Sequence, residues 1–259
     1  MIAKMNMNST SSQQENCRLD TVDALKRVDP LLAFNRVVVK HPRIESVLQE
    51  LLFLAEPNTG TDIALLIGPT GVGKTSLTLA LQKRILTERY DAMVEDPSFV
   101  PVVLMEAPAS GEISFSWRMF YIKLGAALFE PEMDKKVETV LKEGRTTIKK
   151  FNAGTTVASM RAAVENALKF RRTLLVVIDE AVHMFRNCNP MRCAMHMDAL
   201  KSLSNISGVT LALVGSYDLH TLASLSGQLA RRTAIIHMQR YVPGDKTDEM
   251  YFQTVIKTL

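Results

Sequence analysis

Eight consecutive residues, Gly68-Pro69-Thr70-Gly71-Val72-Gly73-Lys74-Thr75, carry the most specific chemistry in the chain. They fit G-x-x-x-x-G-K-[ST] without a mismatch, and Ser76 follows directly. Gly68, Gly71 and Gly73 let a backbone turn tightly and bring its N–H groups close to an anion. A lysine and a hydroxyl at the end of such a loop suit a polyphosphate. Lys74 is expected to reach the β- and γ-phosphates of a nucleotide, and the Thr75 hydroxyl to bind Mg2+.

A second constellation lies downstream. Leu174-Leu175-Val176-Val177-Ile178 is an apolar run closed by Asp179 and Glu180. After a phosphate loop, the first acid is expected to complete the Mg2+ shell through water or through Thr75. The second is placed to polarise an attacking water as general base. The competing reading is a strand end solvated by two carboxylates. Ser216 closes another apolar run, where it either senses the γ-phosphate or caps the helix beginning at Asp218. His183, Cys188, Cys193 and His196 are all possible zinc ligands, but their spacing matches no common finger, and ordinary thiols and imidazoles are the alternative.

The elements that must hold these residues follow from periodicity. Ile63 to Ile67 reads as a strand buried on both faces. Leu77, Leu79, Ala80, Leu81 and Ile85 recur at helical spacing after the loop, so strand, loop and helix stand in the required order. Further strands are predicted at 101–106, 174–179, 209–214 and 234–237. Helices are predicted from Pro42 (stripe Ile44, Val47, Leu48, Leu51, Leu52), over Ile113–Leu128, over Thr156–Arg172 and from Asp248. Residues Glu130 to Arg145 carry a charged, helix-favouring pattern. Phe115 and Trp117 could form a partner surface, although core packing is the simpler account. Strands alternating with helices predict an α/β, doubly wound parallel sheet.

Composition sets outer limits. The chain has 259 residues, 47% hydrophobic and 22% charged, with a formal net charge of +4. That is ordinary for a globular protein with one sizeable core and compatible with nucleic acid without requiring it. No apolar run approaches the roughly 20 residues of a membrane span, and the polar start MIAKMNMNSTSSQQEN has no secretory apolar region. Three cysteines cannot complete a disulfide framework. A cytoplasmic protein without membrane partners is expected. Residues 1–28 are expected to be a flexible tail, 29–240 the nucleotide-binding domain, and 241–259 a short or truncated C-terminal lid.

Taken together these landmarks resemble an AAA+ ATPase. More narrowly, VIDEAVHMF, LKSLSNISG, VGSYDL and SGQLARR are similar to the TniB/TnsC family of transposition ATPases, over about residues 35 to 242. Val182 departs from the family, which has a Gln there. The resemblance implies a P-loop NTPase (AAA+) sheet with flanking helices and ATP hydrolysis. It also implies that Arg231 or Arg232 serves as an arginine finger on a neighbouring subunit's nucleotide, worth roughly 10³–10⁵ in rate. Adjacent arginines diverge on a helix, so only one can serve, and a helix-terminal pair neutralising nearby acids is the alternative.

The resemblance further implies ATP-dependent assembly into a ring or helical filament on double-stranded DNA, linking a target-selection protein to a transposase. Roughly 100 residues separate the two phosphate-handling motifs, which leaves room for an inserted DNA-facing element. Arg145, Thr147, Lys149 and Lys150 are the candidate DNA contacts, with Arg118 and Lys123 behind them. A solvated basic helix end is the alternative. The rival function is a nucleotide-dependent protein-binding switch, or a secretion or signalling AAA+ ATPase, that does not bind DNA.

Overall fold

The protein is described by a computed structural model. It covers residues 42–56, 59–109, 111, 114–133, 138–142, 145–149, 156–223 and 232–258. In chain order these form α1 (Pro42–Leu54), β1 (Ile63–Ile67), α2 (Lys74–Glu88), α3 (Tyr90–Glu95), β2 (Val102–Glu106) and α4 (Trp117–Ala127). A hairpin, β3 (Glu138–Lys142) and β4 (Arg145–Lys149), precedes α5 (Val157–Phe170) and β5 (Leu175–Asp179). Next come α6 (Pro190–Ser207), β6 (Thr210–Gly215), a short α7 (His220–Ala223), β7 (Thr233–His237) and α8 (Lys246–Thr258).

The five apolar runs assemble as one sheet in the order β2-β5-β6-β1-β7, and every pairing in it is parallel. Both faces of the sheet are covered, because alternate residues of each strand enter different cores. Leu65, Val103, Val176 and Leu211 pack on one face with Phe120, Met160, Leu168 and Leu200 of α4, α5 and α6. Ala64, Leu66, Val177 and Val214 pack on the other with Leu51 of α1 and Leu77 and Leu81 of α2. This burial on two sides is why the strands read as continuous apolar runs instead of alternating ones.

Two segments differ from expectation. Within the charged stretch before Arg145, Glu138–Lys142 is a strand and not a helix: it pairs antiparallel with Arg145–Lys149, Glu138 opposite Lys149 and Lys142 opposite Arg145. Thr139, Val140, Thr146, Thr147 and Ile148 are β-branched, and cross-strand pairing outweighs the helix preference of the flanking charges. Arg145, Thr147 and Lys149 therefore fall at alternate strand positions, not on a solvated helix end. The helix expected from Ile113 starts only at Trp117, because the Ser116 hydroxyl accepts a hydrogen bond from Met119 N and caps it there.

Phe115 and Trp117 pack in an aromatic group with Phe120, Tyr121 and His196. The chain divides into two compact units, of which residues 42–240 form the larger. Of the other unit, residues 241–258 are described. There Tyr241 packs against Phe252, and the Asp245 carboxylate accepts the N–H groups of Thr247 and Asp248 at the start of α8. No described helix is long and apolar enough to cross a membrane.

Tyr121 supplies a pH handle on this core. Burial pushes its hydroxyl from 10.0 up to about 12, against the opposing pull of the Arg161 charge. The raised value favours the neutral phenol in the fold. Stability is fully present below the ordinary tyrosine value and declines as pH rises through the folded one. Tyr121→Phe is expected to flatten the alkaline fall in urea midpoint, and a fall of unchanged steepness would contradict this account.

Candidate nucleotide site

The loop after β1 is pinned between the two strands that flank it. Gly68 N–H donates to the Gly215 carbonyl at the end of β6 (3.2 Å), and Met238 N–H, just past β7, donates to Ile67 O (2.8 Å). A Cβ at Gly68 would stand 2.5 Å from the Met238 carbonyl oxygen, so only glycine fits this approach. At the loop's other end Gly73 caps α2 with φ 95°, in the left-handed region. That turn points the free N–H groups and positive dipole end of α2 back over the loop.

Lys74 curls across the loop, its ammonium donating to the carbonyl oxygens of Gly68 (3.0 Å) and Pro69 (2.9 Å). Thr75 faces the other motif: its hydroxyl donates to Asp179 Oδ2 at 2.8 Å. The second oxygen of Asp179 accepts the Glu180 N–H at 2.8 Å. Glu180 itself has φ 50° and ψ 36° and is exposed. This left-handed turn takes the chain out of β5 and leaves the Glu180 carboxylate facing solvent at the strand end. Hydroxyl and carboxylate oxygens are hard donors, the set that suits Mg2+.

Ser216 follows β6 at the same sheet edge, since Gly215 pairs with Ile67 in register. Its hydroxyl donates to Asp218 Oδ2 (2.8 Å) and accepts no backbone N–H as a helix cap. The structure thus brings Gly68–Ser76, Asp179, Glu180 and Ser216 to the C-terminal ends of β1, β5 and β6, where ligands of parallel sheets bind. Sequence reasoning passed over two neighbours on that edge. Glu106 ends β2 directly opposite Asp179, and His237 ends β7 opposite Ile67 with its ring 6.4 Å from that of Tyr217. An acid closing a buried apolar run was the available signal for Glu106.

The remaining candidates lie elsewhere. Arg232 precedes β7 and so sits at the opposite end of the strands, about 16 Å of strand away from the loop. Its guanidinium is 3.5 Å from Asp62 Oδ2 and donates to Asn205 Oδ1 (3.3 Å). Asp62 Oδ2 is buried and has no hydrogen-bond partner, which makes Arg232 its counter-charge. Arg231 and Lys150 lie outside the described residues. Lys123 donates to the Glu106 carbonyl (3.5 Å), and Arg118 is exposed on α4. Among the described residues no three His, Cys, Asp or Glu side chains are placed to hold a metal ion. Of the four zinc candidates, the Cys188 thiol and His196 are close together and His196 Nδ1 is bonded to the Met184 carbonyl at 2.9 Å.

The AAA domain family profile matches residues 58–223, from before β1 through α7. The fold resembles Cdc6p from Pyrobaculum aerophilum, with 16% identity, 86% of this chain and 50% of that chain covered, and a TM-score of 0.50. It also resembles the Aeropyrum pernix ORC2 protein in its ADPNP-ADP complexes, with 15% identity, 83% and 49% coverage, and a TM-score of 0.50. This chain spans about half the length of those two structures. No curated protein sequence matches it.

The Asp62–Arg232 contact yields a stability prediction. Arg232→Ala leaves a buried carboxylate oxygen without its counter-charge and is expected to cost about 1 kcal/mol, modest because the arginine is half exposed. Adding Asp62→Asn should recover most of that loss in urea unfolding. Simple additivity of the two substitutions would show that the pair does not interact.

Proposed function

The chain belongs to the AAA domain family and has the P-loop NTPase fold of AAA+ proteins, and from that premise we propose that it is an ATPase regulating DNA transposition. In this reading it binds and hydrolyses ATP, assembles on double-stranded DNA as a ring or helical filament, and links a target-selection protein to the transposase. The observation that carries the nucleotide part is the 2.8 Å bond between Thr75 and Asp179, which joins the phosphate loop to the acids of β5. The transposition part rests on the TniB/TnsC-like segments around Asp179, Ser204, Ser216 and Arg231.

Each residue has a stated task. The loop N–H groups and the α2 N-terminus receive the phosphates. Lys74 exchanges the Gly68 and Pro69 carbonyls for phosphate oxygens. Thr75 and Asp179 would hold Mg2+, which supplies charge neutralisation across the phosphates when bound. Glu180 takes the proton of the attacking water, and Ser216 leaves Asp218 to contact the γ-phosphate. Because Arg232 is engaged by Asp62 and Asn205 in its own chain, we assign the finger that reaches a neighbour's nucleotide to Arg231. The hairpin places Lys142, Arg145, Thr147 and Lys149 at alternating register positions in two paired strands. That row is proposed, with Lys150, to meet DNA phosphates without reading sequence.

Lys74→Ala is expected to abolish ATP binding and nucleotide-dependent assembly, read by titration calorimetry and by electron microscopy with a non-hydrolysable analogue. Glu180→Gln should keep binding and lower turnover by roughly 10²–10⁴. Normal turnover in Glu180→Gln would remove it as the base.

Double-stranded DNA should raise the ATPase rate, and Arg145→Ala/Lys149→Ala should weaken DNA binding with a shallower salt dependence. An ATPase indifferent to DNA would favour the protein-binding switch.

A further inference from the structure

Two cysteines meet just beyond the acids of β5. The chain leaves Glu180 through a tight turn, Ala181–Met184, and reaches Cys188 and then Asn189, which caps α6 by accepting the Arg192 N–H (2.9 Å). Cys193 N–H donates to the Asn189 carbonyl (3.0 Å), so the first helical turn carries position 193 back over position 188. The Cys193 thiol lies 3.9 Å from the Cys188 carbonyl, which accepts it. Cys193 is buried at 9% exposure, whereas Cys188 is half-buried and the more accessible of the two. Burial, and after it the adjoining Cys188 thiol, push the Cys193 thiol up from its ordinary range.

The surroundings of Cys188 differ from those of an inert core thiol. Its sulfur is 3.9 Å from His196 Nδ1 and 3.9 Å from the Met184 carbonyl. His196 Nδ1 is also 2.9 Å from that carbonyl, which can only accept, so Nδ1 carries the proton. The thiol at 188 therefore lies against a polar group, the imidazole bonded to the Met184 carbonyl, with a second thiol behind it. A partly accessible cysteine poised next to a resolving one is the arrangement of redox-modified pairs. Neither residue has a task in the nucleotide site described above.

We propose that Cys188 and Cys193 form a redox-modified pair that closes into a disulfide when a hydroperoxide reaches Cys188. The Cys188 thiolate attacks one peroxide oxygen, the O–O bond breaks, and Cys188 becomes a sulfenic acid while the expelled hydroxide takes the thiol proton as water. The Cys193 thiolate then attacks the Cys188 sulfur. The S–S bond forms, the S–O bond breaks, and hydroxide leaves as a second water with the Cys193 proton. The two thiols give up two electrons and two protons in total, and one hydrogen peroxide is reduced to two waters. The bridge ties the start of α6 to the segment that follows Glu180.

The test exposes the Cys17→Ser protein to stoichiometric hydrogen peroxide, followed by intact mass and non-reducing peptide mapping. The expected result is a loss of two hydrogens, a peptide linking positions 188 and 193, and reversal by a thiol reductant. Cys193→Ser should stop at a sulfenic acid that a dimedone probe traps on Cys188. Oxygen addition at Cys188 with no bridge, or no reaction at either thiol, overturns the proposal. The experiment uses neither ATP nor DNA, so its failure leaves the nucleotide reading intact.

Discussion

The hydrogen bond from Thr75 to Asp179 is the contact on which the site depends. It joins residues 104 positions apart, one in the first turn of α2 and one at the end of β5. β1 and β5 are not neighbours: β6 lies between them, and its end supplies Gly215 to hold the loop and Ser216 to the gap. Two strand spacings amount to about 10 Å, so the two motifs cannot meet through the sheet itself. They meet because the loop turns back over the strand ends and the Thr75 side chain spans the remaining distance.

That arrangement gives the sheet two unlike ends. At the C-terminal edge the strands finish in polar or turn-forming residues, Glu106, Asp179, Gly215 and His237, around a loop rich in N–H donors. At the other edge the ends are tied down. Arg232 balances the buried Asp62, and the Ser204 hydroxyl donates to the carbonyls of Asp62 and Val209. A charge at this second edge serves its own chain's stability first. Arg232 is an instance, held by Asp62 and Asn205.

Between the edges, the core makes the site rigid. Two apolar layers hold the strands from both sides, and the loop closes against Met238 with no space for a Cβ at Gly68. The backbone of a loop closed this way needs little ordering to receive the phosphates proposed above. The hairpin of β3 and β4 forms a separate two-stranded sheet, so changes in it need not disturb the nucleotide edge.

The sequence by itself determined the elements whose signal is local. The phosphate loop, the five sheet strands, the acids at 179 and 180 and the α/β class were all legible because fully buried strands are short apolar runs and the loop has an unmistakable glycine spacing. The helix-favouring pattern read over Glu130 to Arg145 failed at Glu138–Lys142 for a physical reason: charged residues favour a helix only until a partner strand offers backbone hydrogen bonds, and that partner was invisible to local pattern. Tertiary structure alone decided which side chains meet. It placed Glu106 beside Asp179, tied Arg232 to Asp62 across the sheet's far edge, and folded Cys193 over Cys188. Such pairings depend on strand order and on the angle of a capped helix, neither of which is written in the spacing of residues along the chain.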